Sequence, residues 1–156
     1  MTEKEQVYQT NIRILYKHLE DSIGDYINIG HICGKTEYVN AYVMAVLGAI
    51  VAYYDTVVKP NKAINKIQEE KCILACKYAN NMLKHDPSIV THVRSKGGLT
   101  FPMAFPVSID EIEVVWKWQD LPTNHPDQKD AFQDLFADKQ VLETLQTVLT
   151  HLGIDI

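Results

Sequence analysis

Between residues 38 and 54 the chain reads Tyr38-Val-Asn-Ala-Tyr-Val-Met-Ala-Val-Leu-Gly-Ala-Ile-Val-Ala-Tyr-Tyr54, without one charged side chain. A helix that is apolar on every side belongs where neighbours cover it, in a protein core or in lipid. Spanning a bilayer takes about 20 such residues. This run sits at the short limit, contains Asn40, and is rich in Ala and Gly rather than Leu. No Lys/Arg cluster flanks it to set an orientation across a membrane. The stretch therefore reads as the central helix of a soluble bundle. Thr36, whose hydroxyl can accept from free backbone amides, marks its start. Ala41, Ala45, Gly48, Ala49 and Ala52 let neighbouring helices approach it closely.

Upstream, Tyr8, Ile12, Leu15, Leu19, Ile23 and Tyr26 recur every three or four residues. That spacing makes one apolar stripe on a helix from about Lys4 to Ile27. Gly24 and Gly30 weaken its far end, and Ile27 to Lys35 reads as a connection. Downstream, a third helix is expected after Lys59-Pro60, since proline at the first turn loses no needed hydrogen bond. Ile64, Ile67, Lys71, Leu74, Tyr78 and Met82 trace its stripe, widened by Ala75, Cys76 and Ala79. It should stop near His85, because Asp86 precedes Pro87.

The period then changes. Ile89 to Val93 is β-prone, Arg94-Ser-Lys-Gly-Gly98 reads as a turn, and Leu99-Thr-Phe101 resumes extended structure. Next, Ile112, Val114, Trp116 and Trp118 alternate with Glu111, Glu113 and Lys117, the pattern of a strand with one solvated face. After a polar loop from Gln119 to Pro126, a last helix is expected from about Asp127 to Leu152, ended by Gly153. Its polar patch Asp138-Lys-Gln140 is a place to kink or break. The expected fold is a mostly α single domain over residues 1–156, a bundle of four to five helices. A small antiparallel β element over 88–118 lies between the third and last long helices. Short connections make the first three helices antiparallel neighbours.

A chain of 156 residues with 46% hydrophobic residues can bury a core without disulfides or a metal. Its polar N-terminal segment and three cysteines, Cys33, Cys72 and Cys76, point to reduced thiols in the cytoplasm. Cys72 and Cys76 share a helix face but lack further ligands at matching spacing, so they read as small core residues. A net charge of −5 and only two arginines, Arg13 and Arg94, argue against duplex DNA as a partner. His18, Asp21 and Asp25 are a thin ligand set, so neither a metal nor another cofactor is expected.

The chemistry-bearing stretch is Lys77-Tyr-Ala-Asn-Asn-Met-Leu-Lys-His85, at the end of the third helix. Asn81 and His85 are four apart and share a face. Lys77, Lys84 and His85 sit where the helix dipole favours positive groups. Asn80, Lys77 and Lys84 complete a set able to hold a phosphate or an acidic partner. The plainer reading is dipole compensation that needs no ligand.

With its helix order, this Asn-x-x-x-His resembles the HEPN superfamily over roughly residues 1–86. That family comprises small all-helical domains, often dimeric and frequent in bacterial defence and toxin systems. Its active members are metal-independent ribonucleases in which an Arg precedes a His, very often as Arg-Asn-x-x-x-His. Asn81 and His85 match the motif, and Asn80 stands in place of the Arg. An amide supplies no cation for the scissile phosphate, and Lys77 or Lys84 would act as a point charge without the guanidinium fork. The β segment after the motif is not something the family requires. The resemblance therefore implies a non-catalytic interaction module in a bacterial or phage defence or counter-defence setting. It leaves as the alternative an RNA endonuclease in which His85 is general acid/base and Asn81 positions the phosphate. Expected partners are a second copy in a homodimer and a protein partner, with RNA or a nucleotide left open and no membrane. Trp116 and Trp118, near the apolar stretch Phe101-Pro-Met-Ala-Phe-Pro106, offer a further binding surface or, alternatively, a face that closes the core.

Overall fold

The computed structural model describes residues 2–30, 36–61, 67–85, 91–100, 108–118 and 122–156. Helix α1 spans Glu3–Asp25. Thr2 and Glu5 cap it reciprocally, each side chain bonding the other's backbone N–H. Ile12, Leu19 and Ile23 of the expected stripe are buried, with Tyr8 and Leu15 packed half-buried beside them. Gly24 does not stop the helix, which continues into a π-helical turn over Tyr26–Gly30. Helix α2 spans Thr36–Tyr53 and runs on through a π turn, Tyr54–Val58, and a 3-10 turn, Lys59–Asn61. Helix α3 spans Ile67–His85.

The walls of the bundle form a ring. Helix α2 packs on α1 at one side and on α3 at the other. The Tyr16 hydroxyl of α1 reaches the Leu142 carbonyl at 3.3 Å, and α3 lies against the two C-terminal helices. The uncharged helix is therefore one wall and not an axle surrounded by neighbours. Val39, Val43, Val46, Leu47 and Ile50 face the core, yet only 39% of its most apolar window is buried. Thr36–Val58, at 23 residues, is long and apolar enough to cross a membrane by length and composition.

The β element is a two-stranded antiparallel ribbon of β1, Thr91–Thr100, and β2, Ser108–Trp116. It corrects the sequence expectation twice. First, β1 runs straight through residues 94–98, where a turn was expected. Lys96 pairs with Glu111 and Leu99 with Ile109, so Gly97 and Gly98 are absorbed as a bulge. Cross-strand pairing overrides the local turn preference, and glycine tolerates the extra residue. Phe101 to Pro106 lie outside the described residues. Second, Glu113 is buried and does not face solvent. Its carboxylate accepts from the Gln140 side-chain amide, and Val115 bridges Gln140 through the backbone. The C-terminal half of β2 is thus covered on both faces.

The last helical segment is broken at the polar patch into α4, Pro126–Leu135, and α5, Val141–His151. The break is a docking point. Trp116 N–H bonds the Lys139 carbonyl at 3.0 Å, and Asp138 N–H bonds the Trp116 carbonyl at 2.9 Å. Asp138 takes a left-handed conformation, φ 59°, which Asp tolerates better than most residues. Two peptide bonds that continued helix would spend on itself instead pair with the end of β2. Gly153, φ 70°, closes α5, with Gly153 N–H to Thr150 at 3.0 Å and Ile154 N–H to Leu149 at 2.9 Å.

Candidate functional site

Helix α3 buries a wide arc, including Cys72, Ile73, Cys76, Ala79, Asn80 and Leu83. Its last two turns leave Asn81, Lys84 and His85 exposed. The structure thus puts Asn81 and His85 on one solvent-facing strip, as their spacing requires. It divides the remaining members of the expected set. Asn80, in the position of the motif's Arg, turns inward. Lys77 is partly buried and its ammonium sits 3.0 Å from Asp55 Oδ1 and 5.7 Å from the Tyr54 ring centroid. Both partners belong to the π-helical extension of α2, so Lys77 fastens α3 to α2. Lys84 is three residues beyond Asn81 and exposed, so it stands beside the strip. Lys77 is four residues before Asn81 on the same helix, but its ammonium is engaged by Asp55.

The aromatic pair expected as a surface divides. Trp116 is fully buried, stacked on Phe136 with ring centroids 5.0 Å apart and edge-on to Phe132 at 6.0 Å. Its burial comes from α4 and α5 closing over β2, and it corrects the expectation of a binding role for this residue. Trp118 is half-buried, stacked on Phe132 at 6.2 Å, with the Lys129 ammonium 6.0 Å from its ring. Cys72 and Cys76 are buried in the core and form no disulfide. Burial, and secondarily the neighbouring Cys72, pushes the Cys76 thiol far above its ordinary range, so it offers no thiolate at neutral pH. Cys33 lies outside the described residues. His18 stacks on Tyr42 at 5.6 Å, and Asp21 is bound to Lys17 at 3.2 Å. No three His, Cys, Asp or Glu side chains among the described residues gather as metal ligands.

Sequence reasoning missed a cleft of about 500 Å3 beside the α4–α5 break. Glu113, Gln140, Glu143, Thr144 and Thr147 line it, with Cys72 also contributing. Lys139 borders it, but its ammonium bonds the carbonyls of Asp134 and Leu135 at 2.6 and 3.0 Å, capping α4. The only signal for the cleft in the sequence was the polar interruption at 138–140. It is separate from the Asn81–His85 strip, whose residues do not line it. Comparison with protein-family models, with characterised proteins and with solved structures returns no match.

Proposed function

We propose that this chain is a non-catalytic protein-interaction module, HEPN-like in its motif, working in the cytoplasm in a bacterial or phage defence or counter-defence setting. One observation carries the non-catalytic reading: the position of the motif's Arg offers no cation to the strip, and Lys77 is committed elsewhere. Asn80 is turned into the core, and Lys77 is held by Asp55 and Tyr54. A nuclease site needs a positive group preorganised at the phosphate. Interaction is supported by large apolar side chains left on the surface, Val7, Ile14, Tyr38 and Met44.

The alternative, a metal-independent RNA endonuclease, is favoured by one feature: Asn81 and His85 are exposed one helical turn apart. Incubating purified protein with RNA in EDTA decides between them. The interaction reading expects intact RNA from both wild type and His85→Ala. Cleavage by wild type that His85→Ala abolishes would overturn it.

A further inference from the structure

Asn80 is 9% exposed, and no hydrogen bond engages its side-chain amide among the described residues. Gln9, Glu113 and Thr144, also buried, are held by Tyr53, Gln140 and Trp116. A buried amide left unpaired costs stability, so the fold alone gives no reason for one at this position. Helix geometry supplies its surroundings. Cys76 and Leu83, four before and three after, are buried on one side of it; Lys77 and Lys84, three before and four after, lie on the other. Asn80 therefore stands at the border where the buried arc of α3 meets the exposed strip. The two lysines differ. Lys77 is already neutralised by Asp55 at 3.0 Å. Lys84 is exposed and pairs with no carboxylate among the described residues.

We propose that Asn80 and Lys84 together take a carboxylate, and that the chain uses them to hold an acidic segment of a protein partner. This deepens the interaction reading by naming the partner's chemistry, and rests on it to that extent. Positions four apart on a helix have Cβ atoms about 5–6 Å apart. One carboxylate spans that gap, one oxygen accepting from the Asn80 amide N–H and the other from the Lys84 ammonium. The same edge of α3 already seats a carboxylate, that of Asp55 on Lys77.

Other anions fit less well. Small free acids are held in concave sites, and the cleft of this chain is lined by other residues. Nucleic acid gains affinity by having many phosphates neutralised at once. A chain of net charge −5 offers it one unpaired lysine at this place.

Fluorescence anisotropy on the full chain tests the site, with a dye-labelled Glu-Ser repeat peptide as probe and the Gln-Ser repeat as its control. The acidic peptide should bind with a Kd tighter than about 1 mM, and the neutral one should not. Lys84→Gln and Asn80→Leu should each loosen binding roughly tenfold, the loss of a hydrogen bond to a charged group. Asn80→Leu carries a second readout, because it removes an unpaired polar group from the fold. Its melting temperature should rise by about 2–6 °C. No binding of the acidic peptide overturns the proposal. So does binding that survives both substitutions, or tighter binding of single-stranded RNA or of inorganic phosphate than of the peptide. An Asn80→Leu protein that melts lower or fails to fold overturns it as well, since the amide would then serve the core. The RNA assay in EDTA is independent. Cleavage removes the interaction reading and leaves the peptide measurement to judge this site; intact RNA without peptide binding does the reverse.

Discussion

The indole N–H of Trp116 donates to the hydroxyl of Thr144 at 2.6 Å, and both residues are buried. The same hydroxyl donates onward to the Val141 and Gln140 carbonyls, at 2.9 and 3.0 Å, in the first turn of α5. One side chain thus accepts from the end of β2 and returns its proton to helix backbone. Together with the backbone pairing at 138–140, it fastens the β ribbon to the helical layer.

Replacing that acceptor tests the joint. Thr144→Val keeps the shape and leaves the indole N–H buried without a partner. An orphaned buried donor costs about 1–3 kcal/mol. The urea midpoint should fall by that amount divided by the m-value, which itself stays unchanged. In the Trp116→Phe background the same substitution should cost distinctly less, because the donor is already gone. Equal costs in both backgrounds would mean that the bond contributes nothing.

Phe132 is the hub of the aromatic cluster. Its ring meets Tyr78 at 5.2 Å, Phe136 at 5.7 Å, Trp116 at 6.0 Å and Trp118 at 6.2 Å. Phe132→Ala should cost about 3–5 kcal/mol, a large part of an ordinary domain's stability. Phe132→Leu should cost distinctly less, since more of the volume is kept. Thermal melts followed by near-ultraviolet dichroism of the two tryptophans measure this directly. Loss of stability without change in the tryptophan signal would place the hub elsewhere.

Gly153 sits at φ 70° with its amide and that of Ile154 both closing α5. No atom blocks a Cβ there, so the penalty of Gly153→Ala is conformational alone. A left-handed residue with a Cβ costs about 1–2 kcal/mol. Gly153→Asn should recover part of it. Chemical denaturation of the three proteins should rank them Gly, Asn, Ala; any other order would place the strain elsewhere.

These joints mark where sequence reading succeeds and where it stops. The stripes of α1 and α3, the break at 138–140 and the stop at Gly153 were legible because each follows from residues a few positions apart. Glu113 was misjudged because alternation reports one covered face, and its cover comes from Gln140, 27 residues away. The strand through Gly97 and Gly98 was misjudged because its pairing with β2 is invisible to local propensity. The composition of α2 shows that the helix needs cover, but not that one side of it would be left open. At the site, the four-residue spacing of Asn81 and His85 was readable. The capture of Lys77 by Asp55 was not, since it depends on the π turn that carries α2 past Tyr53.

The buried thiols give a pH prediction with a definite sign. Burial raises the folded-state pKa of Cys76 above its ordinary value of 9.0. A raised group contributes stability that is complete below the unfolded pKa and is lost as pH climbs toward the folded value. Above about pH 9 the unfolded chain releases a proton that the folded chain keeps, so stability should fall by roughly 1.4 kcal/mol per pH unit from this one residue. Tyr16 and Tyr53, both raised chiefly by burial, add to the same alkaline loss at higher pH. Cys76→Ala should remove the first part of that slope and leave the tyrosine part. Alkylation provides a second readout: at pH 8 iodoacetamide should spare Cys72 and Cys76 in the native protein and modify both in urea. Rapid native labelling of Cys76 would show that α3 does not bury it, and the core built around that helix would have to be redrawn.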